Sequence, residues 1–323
     1  MKNKNLHEAK RNKNDEFYTQ LVDIENELKH YKKHFKDKVV YCNCDDPKTS
    51  NFSKYFIDNF EKLGLKKLIV SCYKNQEMGL FNYVEPEQAT YLEYGGSNLE
   101  IKYLKGDGDF RGSESIELLK QADIVVTNPP FSLFREYVAQ LSEYDKKFII
   151  VGSVNAINYK EIFKLIKENK MWLGYGFKSG KAFFKTPYPN DFAKGVYNQE
   201  TGLVKFCNVT WFTNIKYKTI SKDLDIYKQY TPEEYPKYDN YNAINVNRVA
   251  EIPMDYVGAM GVPITFMDKY NPEQFEIIDG LNRYSILTGP TKETKGKYLA
   301  QVNGKPVYAR IIIKNKRLGK AHE

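Results

Sequence analysis

No stretch of the 323 residues approaches the roughly 20 consecutive apolar positions that a bilayer crossing takes. The opening of the chain is polar and has no apolar segment of the kind a secretion signal carries. Only four cysteines occur (Cys42, Cys44, Cys72, Cys207), and their spacing is not that of a zinc site. Cys42 and Cys44 alternate along one apolar run, so both are expected to face the interior as reduced thiols. Histidine is as scarce, and His7, His30, His34 and His322 show no ligand pattern: His30 and His34 are four apart, but lysines surround them and a solvated face is expected. No metal is expected, nor an activated Ser or Cys nucleophile. Repeats and low-complexity tracts are missing too. These absences leave a reduced, intracellular, cytoplasmic protein with no membrane partner.

Hydrophobic residues make up 41% of the chain and aromatics 15%, enough for a packed core. Tyr (26) and Phe (19) far outnumber Trp (2), which suits half-wet grooves and stacking platforms as well as interiors. Lys and Arg number 49 against 41 Asp and Glu, a formal +8. The surplus gathers in "MKNKNLHEAKRNKN" at the start and in "KETKGKY" and "IIIKNKRLGKAH" near the end. Such an excess is compatible with a nucleic-acid partner and equally with solubilising termini.

Leu21, Ile24, Leu28, Tyr31 and Phe35 recur at helical spacing and predict an amphipathic helix. Strand and helix patterns then alternate. "KVVYCNC", "KKLIVSCY", "ADIVVTN" and "KKFIIVGS" read as strands; "SNFSKYFIDNFEKLG", closed by Gly64, "SIELLKQ" and "LFREYVAQLSEY" read as helices. This is the α/β pattern: a mostly parallel sheet with helices on both faces, and a ligand crevice beyond the carboxyl ends of the strands. Beyond about residue 155 the texture changes to segments rich in Gly, Pro, Lys and aromatics. There "LVKFCNVTWFTNI" predicts one long strand whose Trp211 and Phe212 belong to the core.

At the end of "ADIVVTN" stands Asn128-Pro129-Pro130-Phe131. Proline fixes its own backbone angle and restricts the residue before it, so Asn128 is expected to be extended and to project into the crevice. Its amide oxygen and the Pro129 carbonyl form two convergent acceptors, which suit an exocyclic amino group with two N–H donors. Accepting a hydrogen bond from each N–H localises electron density on that nitrogen and readies it to attack an electrophilic methyl. Phe131 offers a face for a planar base, an interaction of ~1–3 kcal/mol.

This motif resembles that of the adenine-specific branch of amino-methyltransferases dependent on S-adenosylmethionine. With "CNCDDPKTSNF", "GDGDFRG" and "GVPITFMDKYNPEQFEI" in the same order, almost the whole chain resembles the EcoRI-type adenine-specific DNA methyltransferases. The resemblance implies a class I methyltransferase (Rossmann-like) fold with a seven-stranded mixed sheet and an elaborated target-recognition region. It divides the chain into a basic arm and cofactor-packing segment (1–37), a catalytic core (38–170), and remaining strands with DNA target recognition (171–323). It implies S-adenosylmethionine as methyl donor and transfer to the 6-amino group of a flipped adenine in double-stranded DNA, in a restriction-modification pair or an orphan enzyme. Asn128, Pro129, Pro130 and Phe131 become the catalytic residues. Phe17, Tyr18, Thr19, Asp46, Pro47, Ser50, Asn51, Asp107 and Asp109 become the cofactor-binding ones. Double-stranded DNA is the implied partner, and a cognate restriction endonuclease a further one.

Two departures stand out. The loop "DDPKTSNF" contains no glycine, whereas many relatives approach the cofactor with a glycine-rich backbone. After "KKLIVS" comes Cys72-Tyr73 in place of an acid that would hold ribose hydroxyls; Tyr73 stacking on adenine, or Glu77, are the alternatives. Lys178, Lys181, Lys185 and Lys194 lie among Phe177, Phe183, Phe184 and Tyr188, which reads either as a DNA-binding surface or as an aromatic core under exposed lysines. Two other functions stay open: an amino-methyltransferase of RNA or of a protein amide, and a DNA-binding relative that has lost catalysis.

Overall fold

The computed structural model describes residues 18–73, 89–177, 181–186, 196–217, 222–281 and 300–318. Phe17, Glu77, Lys178, Tyr188, Lys194, His7 and His322 lie outside them. The chain divides into two compact units that are interleaved in sequence: Met1–Ala156 with Leu173–Ile215, and Ile157–Trp172 with Lys216–Glu323.

The first unit begins with a two-residue strand, β1 (Tyr18–Thr19), and helix α1 (Leu21–Leu28). Ile24, Leu28, Tyr31 and Phe35 are all fully buried, as the periodicity requires. The helix nevertheless stops at Leu28 and hands over to a short 3-10 turn at Lys32–His34. His30 is not solvated: its ring stacks on Tyr175 at 4.0 Å, and both His30 and His34 are half-buried.

β2 (Val39–Cys42), helices α2 (Asn51–Asp58) and α3 (Phe60–Leu63) and β3 (Lys67–Ser71) follow. The predicted single helix is broken at Asn59, and Gly64 ends it with φ 63°. That left-handed geometry is why glycine stands there. Next come a hairpin of β4 (Thr90–Tyr94) and β5 (Leu99–Tyr103), helix α4 (Ser113–Gln121) and β6 (Ile124–Thr127). The series continues with α5 (Phe134–Glu143), β7 (Lys147–Ser153), β8 (Trp172–Leu173), β9 (Ala182–Lys185), β10 (Tyr197–Asn198), β11 (Leu203–Phe206) and β12 (Val209–Thr213).

The main sheet has eight strands, one more than expected, in the order β5-β4-β3-β2-β6-β7-β12-β8. Its centre, β3-β2-β6-β7, is parallel, while β4, β5 and β12 pair antiparallel. The sheet is thus large and mixed, with helices between its strands. The predicted long strand is two strands. β11 enters a small sheet ordered β1-β9-β11-β10, and after Cys207-Asn208 the chain turns into β12 beside β7. Trp211 and Phe212 are both fully buried, as expected. Cys42 is buried and Cys44 is half-buried past the strand end; both thiols are free.

The second unit holds helix α6 (Lys160–Lys167) and an antiparallel-dominated sheet of β13 (Ile244–Asn245), β14 (Met260–Pro263), β15 (Phe275–Leu281) and β18 (Arg310–Asn315), ordered β13-β14-β18-β15. The short pair β16 (Gln301–Val302) and β17 (Lys305–Pro306) accompanies it. Among the described residues no helix is long and apolar enough to cross a membrane.

Candidate active site

From β2 the chain moves to β3 on one side and later returns to β6 on the other. The loops leaving β2 and β6 therefore diverge beside each other, and such a reversal opens a crevice at the strand ends. Residues 43–51, 72–73 and 128–131 all leave on that edge.

Asn128 follows β6 directly and is half-buried; Pro129 is buried. The Pro130 carbonyl accepts the Leu133 N–H at 3.0 Å and starts a 3-10 turn at Phe131–Leu133, which runs into α5. No described backbone N–H donates to the Pro129 carbonyl. The Pro129 carbonyl is thus kept out of the helix, next to Asn128 at the end of β6. Behind the corner, Phe134 packs against Phe212 with ring centroids 5.1 Å apart.

Across the crevice, Asp46 Oδ1 accepts the N–H groups of Lys48 (2.9 Å) and Thr49 (3.1 Å), and its Oδ2 receives the Cys72 thiol at 3.8 Å. Ser50 caps α2 by accepting the Phe52 N–H at 3.0 Å. The loop thereby takes its shape from side-chain caps rather than from glycine. Asn51 Nδ2 donates to the Thr19 carbonyl at 2.8 Å, while Tyr18 and Thr19 pair with Lys185 and Phe184 of β9. The N-terminal segment and the loop named in the sequence analysis are therefore joined, across 32 positions of chain.

The 106–112 turn reaches the same edge. Gly108 has φ 78°, and a Cβ there would lie 2.3 Å from the Cys72 carbonyl oxygen, so only glycine permits this approach. Asp107 Oδ1 accepts the Asp109 N–H at 3.0 Å. Asp109 holds Arg111, with Oδ1 to Nε at 2.9 Å and Oδ2 to Nη2 at 2.6 Å.

Two residues at this edge did not enter the sequence-derived set. Asp45 is buried, and desolvation pushes its pKa up to about 7 despite hydrogen bonds from Thr127, Ser50 and the Asn128 backbone. Asn43 is buried and its Oδ1 accepts the Tyr137 hydroxyl. The neighbouring Asp46-Pro47 drew the motif match, and nothing local distinguishes Asp45 from it.

The lysine question divides by strand parity. On β9, Ala182 and Phe184 are buried while Phe183 and Lys185 are exposed, as is Lys181 immediately before the strand. Phe177 belongs to the core, stacked on Trp211 at 5.6 Å.

Does this edge fit a cofactor? Thr19 Oγ1 and Asn43 Nδ2 are buried polar atoms without a hydrogen-bond partner among the described residues. Orphaned groups of this kind call for an explanation, and a ligand carrying amino, carboxylate and hydroxyl groups supplies one.

Strand ends, orphaned polar atoms and a stiff acceptor corner make this edge a candidate ligand site of an α/β protein. Comparison with known proteins narrows the class to the methyltransferases, whose methyl donor is S-adenosylmethionine. Residues 5–316 match the family described as adenine-specific methyltransferase EcoRI, and the chain belongs to that family. It is 51% identical to Type II methyltransferase M.EcoRI of Escherichia coli over 98% of each chain. It is 40% identical to Type II methyltransferase M.MpnI of Mycoplasma pneumoniae, over 96% of this chain and 97% of the relative. To Type II methyltransferase M.MgeORF184P of Mycoplasma genitalium it is 39% identical, over 96% and 98%. No solved structure matches the chain.

Proposed function

We propose that this protein methylates the 6-amino group of adenine within a specific double-stranded DNA sequence, on a class I methyltransferase core. The observation that carries the reading is the Asn128-Pro129 corner at the β6 end, beside the β2 loop.

The Asn128 side-chain oxygen and the Pro129 carbonyl accept hydrogen bonds from the two amine N–H groups. That draws the nitrogen lone pair out of conjugation with the ring, and the preformed dipoles stabilise the positive charge that develops there. The nitrogen takes the methyl as the S–CH3 bond breaks with its electron pair left on sulfur, and the methylated amine then loses one proton to solvent. Phe131 bears on the ring face and keeps the nitrogen in line. The amino group is engaged within a duplex, so the adenine has to leave the stack to reach this corner.

Bound S-adenosylmethionine supplies an electrophilic methyl on a sulfonium. Thr19, Asn51 and Asp46, with Tyr18, Pro47 and Ser50 shaping the loop, would hold its methionine end. Asp107 would meet its adenine, with Asp109 and Arg111 fixing the turn. Lys185 on the open face of β9 and Lys181 just before the strand meet DNA phosphates. A Type II role, like that in the relatives' names, would pair this activity with a nuclease for the same sequence.

Asn128→Ala is the test. Methyl incorporation into duplex DNA is expected to fall at least ~100-fold, the usual loss on removing one such dipole, with S-adenosylmethionine affinity by calorimetry unchanged. Full activity in this variant, or incorporation into RNA or polypeptide instead of duplex DNA, would overturn the reading.

A further inference from the structure

We infer that Asp45 is a positioning residue that clamps the catalytic corner to the cofactor loop, so that Asn128 is aimed from the β2 side. The inference rests on the activity proposed above. Asp45 Oδ1 receives the Ser50 hydroxyl at 2.8 Å, at the cap of α2. Its Oδ2 receives the Thr127 hydroxyl, the residue immediately before Asn128. The Asn128 backbone N–H also donates to this carboxylate. Thr127 Oγ1 in turn accepts the Cys44 N–H at 3.2 Å, and the Asp45 N–H donates to the Ser71 carbonyl at 3.0 Å. One buried group thus ties the exits of β2, β3 and β6 and the start of α2.

Three donors converge on Asp45, and a carboxylate is the side chain that only accepts. The consequence for Asn128 is geometric. Its N–H is held by Asp45 and its carbonyl side is restricted by Pro129, so both backbone neighbours of the catalytic amide are fixed. A carboxamide at position 45 would turn an N–H toward at least one of the three donors. Hydroxyls can rotate away from such a clash; the Asn128 backbone N–H cannot.

The charged groups around Asp45 are few. Asp46, on the same loop, disfavours its ionisation. Cys42 at the end of β2, Cys44 just beyond it and Tyr137 on α5 also face it, and burial raises all three well above their ordinary values, so they stay neutral through the neutral range. The loop carboxylate Asp45 therefore titrates near neutrality, and loss of its proton completes the clamp.

The test uses the full-length protein with duplex DNA. Asp45→Asn is expected to lower kcat ~100-fold, the scale of a small misplacement at the reacting atoms, while KM for DNA stays within ~2-fold. Wild-type kcat should rise as pH is brought up through about 7, and Asp45→Asn should lack that limb. Thr127→Val should reproduce the kcat loss and Thr127→Ser should restore it to within ~3-fold, with Asp45→Asn/Thr127→Val no worse than either single change, as expected for one unit. If Asp45→Asn fails to fold by thermal melting, the two Thr127 variants carry the decision. Wild-type kcat and pH profile in Asp45→Asn, or in Thr127→Val, alongside an inactive Asn128→Ala would overturn this inference and leave the proposed activity standing. An active Asn128→Ala would instead remove the activity on which it rests.

Discussion

A second buried carboxylate, Glu27 on α1, shows how far a single residue is governed by its surroundings. It accepts the Tyr31 hydroxyl at 2.8 Å and the backbone N–H groups of Tyr175 (2.8 Å) and Gly176 (2.9 Å). Gly174 has no room for a Cβ, which would lie 2.3 Å from Glu27 Oε1. Desolvation outweighs these donors and raises its pKa from 4.5 to about 7. A raised folded-state value means that the protonated form is the one the fold favours. Its contribution is complete below about 4.5 and is lost as pH rises through about 7, a swing of order 3 kcal/mol at most. Asp45 acts in the same direction, over the window from 3.8 to about 7. Thermal melts from pH 5 to pH 8 should show wild-type stability falling, and Glu27→Gln should fall less steeply. An identical slope in both proteins would sink the assignment. Residues of this kind were the least legible from sequence. Glu27 sits among "ENELKH" and looks solvated, and Asp45 meets Thr127 from 82 positions away. Burial made by distant strands leaves no local trace.

At the level of elements, the corner itself was readable because its determinants are adjacent in the chain. Apolar β6, two prolines and an amphipathic helix after them dictate strand, stop and restart within twenty residues or so. Gly64 was readable for the same reason. The β4–β5 hairpin was not. Leu99, Ile101 and Tyr103 sit on an edge strand and are exposed, so apolar spacing does not report an interior face. The strand predicted through Leu203–Thr213 alternates throughout, yet it divides between two sheets, and pairing partners rather than pattern make that choice. One element-level consequence is measurable. A Cβ at Gly152 on β7 would lie 2.4 Å from the Phe134 ring, which backs the corner at the start of α5. Gly152→Ala should cost ~1–3 kcal/mol in denaturant unfolding, as overpacking does, and should lower kcat because α5 leads directly from Phe131. Unchanged stability would mean that Phe134 has room to give.

For the molecule as a whole, the positive surplus becomes a statement about ionic strength. If Lys181 and Lys185 each neutralise one phosphate, log affinity for duplex DNA falls linearly with log salt, and Lys181→Ala or Lys185→Ala should each reduce that slope by ~0.9. Equal slopes in wild type and variants would return these lysines to the role of ordinary surface charges. The family was legible from motif order across the chain, while its compact units were not, since neither is a continuous stretch.

That interleaving limits how the protein can be rebuilt. The chain leaves the first unit after Ala156, comes back at Leu173, and departs again after Ile215. A chimera that borrows the later unit from a relative by one splice near residue 157 would also replace β12, the strand seated beside β7. Grafts that follow the unit boundaries need two inserts, 157–172 and 216–323, exchanged together, and the first insert ends inside β8.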